Sequence, residues 1–218
     1  QALIALRQEH TDWGAKKLLV LLAQQHPDWE LPSEASVGNI LRSEGLTRPR
    51  RRRRLVQPSL KPFAPAREPN DVWSADFKGQ FYTRDGTCCY PLTVMDHVSR
   101  YLLSCQIIKG TRTRESRTVF KAVFGRHGLP QRIRTDNGAP FASIGVGGLS
   151  QLSVWWIRLG IMPERIAPGK PQQNSFIERF NRSYREDILD LHAFRTLAEV
   201  RQLTSDWQIE YNHDRSHD

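Results

Sequence analysis

The arginine- and proline-rich stretch at residues 48–70 is the feature that most constrains the fold, because it divides the chain. "RPRRRRR" (48–54) contains six arginines, and "LVQPSLKPFAPAREPN" (55–70) contains four prolines in sixteen residues. Like charges repel and proline favours extended backbone, so this stretch does not suit the interior of a domain. We therefore predict a small domain at 1–47, a linker at 48–70 and a larger domain at 71–218.

The net charge indicates an anionic partner. The 218 residues carry a formal net charge of +9, with a sequence pI near 9.9. Such a balance is typical of proteins that bind nucleic acid. We expect the arginine run of the linker to follow a phosphate backbone, with a solvated tail as the alternative. The arginines concerned are Arg50, Arg51, Arg52, Arg53 and Arg54.

The sequence does not favour a membrane-spanning segment or a zinc site. The longest apolar run, "LLVLLA" (18–23), is too short to span a bilayer, and no signal-peptide pattern opens the chain. The three cysteines, Cys88, Cys89 and Cys105, lack metal-ligand spacing and favour reduced thiols in a cytosolic setting. Because the chain begins at Gln1, we expect a fragment or a processed product.

Two helical patterns precede the linker. "GAKKLLVLLAQQH" and "EASVGNILRSEG" each place apolar residues on one face, Ser33 suits an N-cap, and Gly45 suits a helix end. We expect their buried residues to be Leu18, Leu21, Leu22, Val37, Ile40 and Leu41. The pair fits a helix-turn-helix for DNA, although an ordinary helical pair is the alternative. The exposed side of the second helix would then present Ser36, Asn39 and Arg42 to DNA.

The part after the linker alternates strands and helices. The predicted strands are residues 72–82, 87–96, 100–108, 131–136 and 161–166. The predicted helices are residues 113–128, 147–160, about 174–190 and 196–211. The first three strands would form an antiparallel meander joined by short turns. The order β-β-β-α-β-α-β-α-α predicts an α/β domain with a mixed five-stranded sheet flanked by helices.

Two aspartates stand out on the predicted strands. Asp76 lies in the middle of the first strand between apolar neighbours, where an unpaired charge is expensive. Asp136 ends the fourth strand, just before the strong turn signal Asn137-Gly138. If the two strands are neighbours, the carboxylates repel each other, and a divalent cation is the usual remedy. The alternatives are that Asp76 pairs with a buried basic residue and that Asp136 only caps the turn.

Glu178 is the third candidate ligand. It lies one turn into a predicted helix that follows the loop "PGKPQQN" (168–174), so it has the freedom to reach the two aspartates. Three such carboxylates would hold two Mg²⁺ or Mn²⁺ ions about 4 Å apart, an arrangement that serves in-line displacement at a phosphodiester. An ordinary helix salt bridge between Glu178 and Arg182 is the alternative.

Basic residues surround Glu178 on the predicted helix and loop. Arg182 and Arg185 share its helix face by i, i+4 and i+7 spacing, which suits a helix lying along a DNA strand. A solvated basic face is the alternative. Lys170 and Asn174, which precede the helix, would contact DNA near the scissile phosphate.

The motifs resemble those of bacterial insertion-sequence transposases of the DDE type, which are related to retroviral integrases and have an RNase H-like fold. The resemblance rests on "WSADFKG", "RTDNGAPF", "PGKPQQNSFIERFNRSYRED" and "DWQIEYNHDRSH", and the upstream "HTDWGAKKLL" and "LPSEASVGNILRSEGLTRPRRRR" resemble the helix-turn-helix before this core. It implies that Asp76, Asp136 and Glu178 are the catalytic, metal-binding triad. Forty-one residues separate Asp136 from Glu178, more than is usual in the family, and Ser175 stands where a glycine is usual.

The resemblance also implies a function. Such proteins bind the inverted-repeat ends of a mobile element, cleave the 3′ ends with metal ions, and join them to target DNA without a covalent protein–DNA intermediate. It implies at least a dimer, and a location in the bacterial cytoplasm at the nucleoid. A catalytically silent DNA-binding descendant and a structure-selective nuclease are the alternatives.

Overall fold

The computed structural model describes residues 1–11, 13–47, 63–144 and 146–213. The chain forms two compact units, residues 1–58 with 213–218, and residues 59–212. Arg50 to Arg54, and with them the predicted phosphate contacts of the linker, lie outside the described residues.

The described residues of the first unit form three helices: α1 (Ala2–Glu9), α2 (Ala15–Gln25) and α3 (Glu34–Ser43). Its core joins residues from all three, namely Leu3, Leu6, Trp13, Leu18, Leu22, Val37 and Leu41. Helix α1 was not predicted from the sequence; it is eight residues long and shows no side-chain cap. The only strong helical signal in its sequence is the spacing of Leu3 and Leu6, which lie three residues apart.

The structure confirms where the second predicted helix begins and ends. Only part of its predicted apolar face is buried. Ser33 caps α3 by accepting a hydrogen bond from the Ser36 backbone N–H at 3.2 Å, and Gly45 follows the helix with φ of +69°. Ile40, predicted to be buried, is 39% exposed. Val37 and Leu41 alone are buried on α3, because a three-helix unit of this size covers only a narrow stripe of each helix.

The second unit is built on a mixed sheet of six strands. They are β1 (Val72–Phe77), β2 (Phe81–Tyr82), β3 (Cys88–Asp96), β4 (Leu102–Ile108), β5 (Arg132–Thr135) and β6 (Met162–Arg165). The main order is β4-β3-β1-β5-β6, and β2 pairs with the beginning of β3. Strands β1, β3 and β4 are antiparallel neighbours, whereas β1, β5 and β6 are parallel. The predicted mixed sheet and its meander are confirmed.

One predicted strand is two strands in the structure. Residues 72–82 break after Phe77, and Gly79 has φ of +100°, in the left-handed region that favours glycine. The chain then rejoins the sheet as β2, which gives six strands instead of the predicted five.

Four helices flank the sheet: α4 (Thr113–His127), α5 (Gln151–Arg158), α6 (Ser175–Tyr184) and α7 (Leu197–His213). A π-helical turn, Arg185–Leu189, continues α6, so the predicted helix over 174–190 is present with altered winding. Helix α5 begins later than predicted because Ser150 and Ser153 form a capping box, while Gly147 and Gly148 have positive φ.

The helices bury the two faces of the sheet separately. Helices α4 and α5 cover one face, with Trp73, Phe120, Ile133 and Trp156 fully buried in that core. Helices α6 and α7 cover the other face in a second core, whose aromatic members are Phe180, Tyr184, Phe194, Trp207 and Tyr211. Because side chains alternate along a strand, Trp73 and Ala75 point to the first core, and Asp76 points towards α6.

In the part of the chain that the structure describes, no helix has the length and apolar character needed to cross a membrane.

Candidate active site

Asp76 is half-buried near the end of β1 and is held by α6. The side-chain amide of Asn181 donates a hydrogen bond to Asp76 Oδ2 at 2.6 Å. The hydroxyl of Thr93, on the neighbouring β3, lies 3.0 Å from the backbone oxygen of Asp76 and 3.3 Å from Asn181 Oδ1. Thr93 and Asn181 are both buried, so this carboxylate has a fixed orientation.

Strand pairing brings Asp136 to the same end of the sheet. Strand β1 runs parallel to β5 with Ser74 opposite Arg134, so two residues further along each strand lead to Asp76 and Asp136. The first and fourth predicted strands are therefore neighbours, as the sequence analysis required. The two carboxylates lie close enough for Asp136 to raise the pKa of Asp76.

The turn after β5 is shaped around the Asp136 carboxylate. Its Oδ1 accepts a hydrogen bond from the Gly138 backbone N–H at 3.0 Å, and Asn137 Nδ2 donates to the Ile166 carbonyl at 2.7 Å. A Cβ atom at Gly138 would lie 3.0 Å from Asp136 Oδ2, tighter than most real contacts. Asp136 thus caps the turn, as one alternative held, and also faces Asp76.

Glu178 lies exposed in the first turn of α6. The pKa of Asp76 is raised to about 7, first by burial, then by the negative charge of Asp136 and then by that of Glu178. All three carboxylates therefore interact electrostatically at this end of the sheet. Across residues 1–11, 13–47, 63–144 and 146–213, however, no three His, Cys, Asp or Glu side chains are placed to hold a metal ion as they stand. The triad stays a prediction.

Two residues of this site were missed by the sequence analysis. Asn181 follows Glu178 by three residues, and that spacing on one helix face would have drawn attention to it. Lys78 follows Asp76 by two residues and lies directly after the end of β1. The pKa of Lys78 is lowered, first by burial and then by Arg185, while Asp76 and Glu178 act in the opposite direction.

A buried ion pair supports the site from β5 and β6. Arg134 donates from Nε and Nη2 to Glu164 Oε2 at 3.0 and 2.9 Å, and both residues are buried. Its Nη1 donates to the Gln173 carbonyl at 3.3 Å, and its guanidinium lies 4.2 Å from the centre of the Phe63 ring. Arg134 therefore joins β5, which leads to Asp136, with the segment that leads to Glu178.

The remaining predicted DNA contacts differ in accessibility. Arg182 and Arg185 are exposed and Lys170 is half-buried. Asn174, the last residue of the short 3₁₀ turn Pro171–Asn174 before α6, is only 3% exposed and offers DNA almost no surface. In the first unit, Ser36, Asn39 and Arg42 are all exposed on α3, and Arg42 donates to Asn39 Oδ1 at 2.9 Å.

Comparison with known proteins identifies the class to which this fold and site belong. Two models described as "Integrase core domain" match, one over residues 66–171 and the other over residues 159–218. Together they span the whole sheet and the helices that cover it.

The relatives narrow the class further. The chain is 30% identical over 217 residues to the 31.7 kDa protein of insertion element IS407 from Burkholderia multivorans, covering 99% of this chain and 74% of the relative. It is 31% identical over 221 residues to the 39.2 kDa protein of insertion element IS476 from Xanthomonas euvesicatoria, covering 99% of this chain and 60% of the relative. The chain belongs to the bacterial insertion-sequence transposases with an integrase-like core, which confirms the predicted family.

One solved structure shares the fold. A chain in the simian T-cell lymphotropic virus intasome in complex with PP2A regulatory subunit B56 gamma matches with a TM-score of 0.55 and 18% identity. The match covers 98% of this chain and 69% of that chain. The likeness confirms the RNase H-like fold of the integrase core.

Proposed function

We propose that this protein is a DNA transposase that binds the terminal inverted repeats of a mobile element, cleaves their 3′ ends and transfers them into target DNA. The observation that carries the proposal is the parallel pairing of β1 with β5, which brings Asp76 and Asp136 to one end of the sheet. Glu178 acts on the same charge from α6. Three interacting carboxylates on a basic protein of this family suit phosphodiester chemistry better than any structural role.

The three carboxylates fit divalent metal ions. Carboxylate oxygens are the ligands that Mg²⁺ and Mn²⁺ prefer. The pKa of Asp76 is raised first by burial and then by repulsion from Asp136 and Glu178, and a bound cation would offset that repulsion. When bound, two ions would activate the attacking oxygen and stabilise the leaving oxygen of the phosphodiester. Asp76, Asp136 and Glu178 would hold them.

The protein's own residues orient this apparatus. Asn181 fixes one oxygen of Asp76, and the Gly138 N–H fixes one oxygen of Asp136, so the orientation of both carboxylates is set before a metal ion binds. Glu178 is the adaptable member, because it is exposed on the first turn of α6. Arg182 and Arg185 extend from the same helix and would neutralise phosphates of the bound strand.

The first unit would supply recognition of the element's ends. Helix α3 presents Ser36, Asn39 and Arg42 to solvent, as a recognition helix requires. Lys170 would contact phosphate near the site, and Arg50 to Arg54 would follow the DNA backbone. Because two ends must be brought together, we expect at least a homodimer at work, in the bacterial cytoplasm at the nucleoid.

The experiment uses labelled DNA from the terminal repeats that flank the coding sequence, with Mg²⁺ or Mn²⁺. We expect metal-dependent 3′-end cleavage and joining to a target duplex. In Asp136→Asn, both reactions should fall by about a thousandfold or more, because removal of a metal ligand removes the charge that holds the ions. Asp206→Asn, at an exposed carboxylate of α7, is the matched control and should retain activity.

Each alternative has its own outcome. Tight binding of the repeats without cleavage in any metal would identify a silent DNA-binding descendant and contradict the proposal. Cleavage that ignores the repeat sequence and never joins strands would identify a nuclease.

A further inference from the structure

Arg100 has a backbone conformation that is unfavourable for an arginine. It lies in the turn between β3 and β4 with φ of +64°, in the left-handed region that favours glycine. Among the described residues other than glycine, only Asn70 also has a positive φ. Asparagine tolerates this region because its short side chain is polar, an advantage that arginine lacks. Strain of this kind persists where surrounding contacts impose it, and it is concentrated at functional sites.

The buried carboxylate of Asp96 imposes the shape of this turn. Its Oδ1 accepts hydrogen bonds from the backbone N–H groups of Val98 and Ser99, at 3.1 and 2.7 Å, and from the Ser99 hydroxyl at 2.8 Å. Its Oδ2 accepts a hydrogen bond from the Asn70 backbone N–H at 2.8 Å. The Arg100 backbone N–H donates to the Asp96 carbonyl at 3.1 Å. Because both carboxylate oxygens are engaged, the turn has a fixed shape, and the point from which the Arg100 side chain extends is fixed with it.

The Arg100 side chain extends from this turn to the first turn of α6. Its guanidinium carbon lies 3.0 Å from the centre of the Phe176 ring, and its Nη1 donates to the His97 carbonyl. The His97 and Phe176 ring centres are 4.7 Å apart, and His97 Nδ1 lies 3.3 Å from Ser74 Oγ on β1. The Phe176 ring therefore contacts two side chains of one turn, and that turn is joined to the strand that carries Asp76.

The first turn of α6 benefits from such a contact, because it has no side-chain cap. In the part of the chain that the structure describes, Asn174 occupies the N-cap position without a cap hydrogen bond from its side chain. A helix start without a cap is less stable and frays more readily. Phe176 and Glu178 both lie in this turn, two residues apart, and Glu178 is exposed. A fixed Phe176 therefore limits how far Glu178 moves.

We propose that Arg100 is a positioning residue for Glu178, which holds the first turn of α6 through the Phe176 ring and so keeps Glu178 beside Asp76. The proposal rests on the proposed function, because it takes Glu178 as a metal ligand. A cation over the face of an aromatic ring is attracted to it, and a planar guanidinium stacks on the ring as well. This contact accounts for an arginine at a position where glycine would adopt the backbone conformation more readily.

Arg100→Gly tests the proposal, because glycine adopts this φ without steric cost and removes the side chain from Phe176. Two properties of the full chain are measured without DNA. Hydrogen–deuterium exchange of the amides in the first two turns of α6 should be about tenfold faster in metal-free buffer, because local opening sets that rate. The dissociation constant for Mn²⁺, from isothermal titration calorimetry, should rise about tenfold, since groups that orient a metal ligand contribute to metal affinity.

The melting temperature separates positioning from a general structural role. In Arg100→Gly it should stay within a few degrees of the wild-type value, since relief of the backbone strain offsets the lost ring contact. A large fall in melting temperature, with faster exchange throughout the sheet, would identify a general structural role and overturn the proposal.

Variants at Phe176 assign the effect to the ring contact. Phe176→Leu removes the aromatic face and should reproduce both changes, whereas Phe176→Tyr keeps the face and should behave as the wild type. When Arg100→Gly and Phe176→Leu are combined, their effects should not add, because each removes the same contact. Asn70→Gly, which relieves the other left-handed position, is the matched control and should leave exchange in α6 and Mn²⁺ affinity unchanged.

The outcomes separate this inference from the proposed function. Unchanged exchange in Arg100→Gly would overturn the positioning role even if the wild type cleaves and joins DNA. Faster exchange with unchanged Mn²⁺ affinity would show that the contact holds α6 but not the metal ligand, and it would also overturn the proposal. Neither measurement uses DNA, so a wild type that binds Mn²⁺ but neither cleaves nor joins the terminal repeats contradicts the proposed function alone.

Discussion

At the scale of single residues, Asn181 sets the orientation of the Asp76 carboxylate. Its amide donates to Asp76 Oδ2 at 2.6 Å from a buried position on α6. A hydrogen bond to the charged form of a carboxylate favours ionisation, and burial of Asp76 opposes it. Asn181 therefore fixes the orientation of Asp76, and under the proposed function it would act as a positioning residue for a metal ligand.

Asn181→Ala should raise the Mg²⁺ concentration needed for half-maximal activity by about 10- to 100-fold, because hydrogen-bond partners orient a metal ligand. Metal titrations of cleavage would check this. Ser183→Ala, two residues further along α6, is the control. An unchanged metal midpoint in Asn181→Ala would show that the contact plays no part in metal binding.

The His97 side chain makes the stability of the folded state depend on pH. Its pKa is lowered from 6.5 to about 4, first by burial and then by the charges of Arg134 and Arg100, while Asp96 acts in the opposite direction. The Nδ1 atom lies 3.3 Å from Ser74 Oγ, and the ring packs edge-on against Phe176 at 4.7 Å. The folded state thus holds this ring neutral where the unfolded chain would protonate it.

Between pH 6.5 and about 4, the unfolded state binds a proton at His97 that the folded state does not, so stability falls as the pH falls. His97→Gln should remove this part of the loss. We expect the drop in melting temperature from pH 7 to pH 4.5 to be smaller by a few degrees than in the wild type. His192→Gln, at an exposed histidine, should leave the drop unchanged, and an equal drop in all three proteins would contradict the role of His97.

At the scale of elements, β5, β6 and the segment before α6 act together through Arg134. One guanidinium contacts Glu164 of β6, the Gln173 carbonyl and the Phe63 ring. A planar, rigid fork of donors makes these contacts at once, and an ammonium group does not. The position of Glu178 relative to Asp136 therefore depends on Arg134, which contacts neither of these carboxylates.

Arg134→Lys should lower the free energy of unfolding by about 1–3 kcal/mol, since it removes hydrogen bonds to a buried charged partner. Cleavage should fall further than this loss alone explains, because the segment before α6 is released. Urea unfolding and single-turnover cleavage would measure the two effects. Arg132→Lys is the matched control, since Arg132 contacts the same Glu164 from a less buried position. Equal effects of both substitutions would show that Arg134 has no special role.

At the scale of the whole molecule, the buried residues of the first unit are separate from those of the second. The proposed function assigns recognition of the DNA ends to the first unit and metal binding to the second. The core of the three-helix unit, which includes Leu18 at 0% exposed, is distinct from the two cores that cover the sheet. A unit as small as the first one, residues 1–58 with 213–218, buries little apolar surface and has little stability to spare. End recognition should therefore be lost more easily than metal binding.

Leu18→Ala should destabilise the first unit by about 2–5 kcal/mol through the cavity that it leaves. We expect sequence-specific binding of the terminal repeats to be lost, while Mg²⁺ still raises the melting temperature of the second unit. Electrophoretic mobility shift and tryptophan-detected melting would follow the two properties. Val20→Ala, on the same helix but 36% exposed, is the control. Loss of the Mg²⁺ effect in Leu18→Ala would show that the two tasks are not separable.

Most helices and strands and the three acidic candidates were predicted from the sequence, whereas α1 and the division of the first strand into β1 and β2 were not. Alternation around Asp76, the Asn137-Gly138 turn and the Ser33 cap are local signals, because they depend on residues close together in the chain. The order of these elements was enough to predict a mixed sheet, but it left open whether the first and fourth strands are neighbours, which the pairing of β1 with β5 decides.

Which side chains contact each other depends on how the folded chain packs. The contacts of Asn181 with Asp76 and of Arg134 with Gln173 join residues 105 and 39 positions apart, and the burial of Asn174 depends on packing around a short turn. The contact between the turn before β4 and the first turn of α6 likewise joins two distant segments. Local patterns carry no information on such contacts, because packing of the whole sheet and its helices sets them.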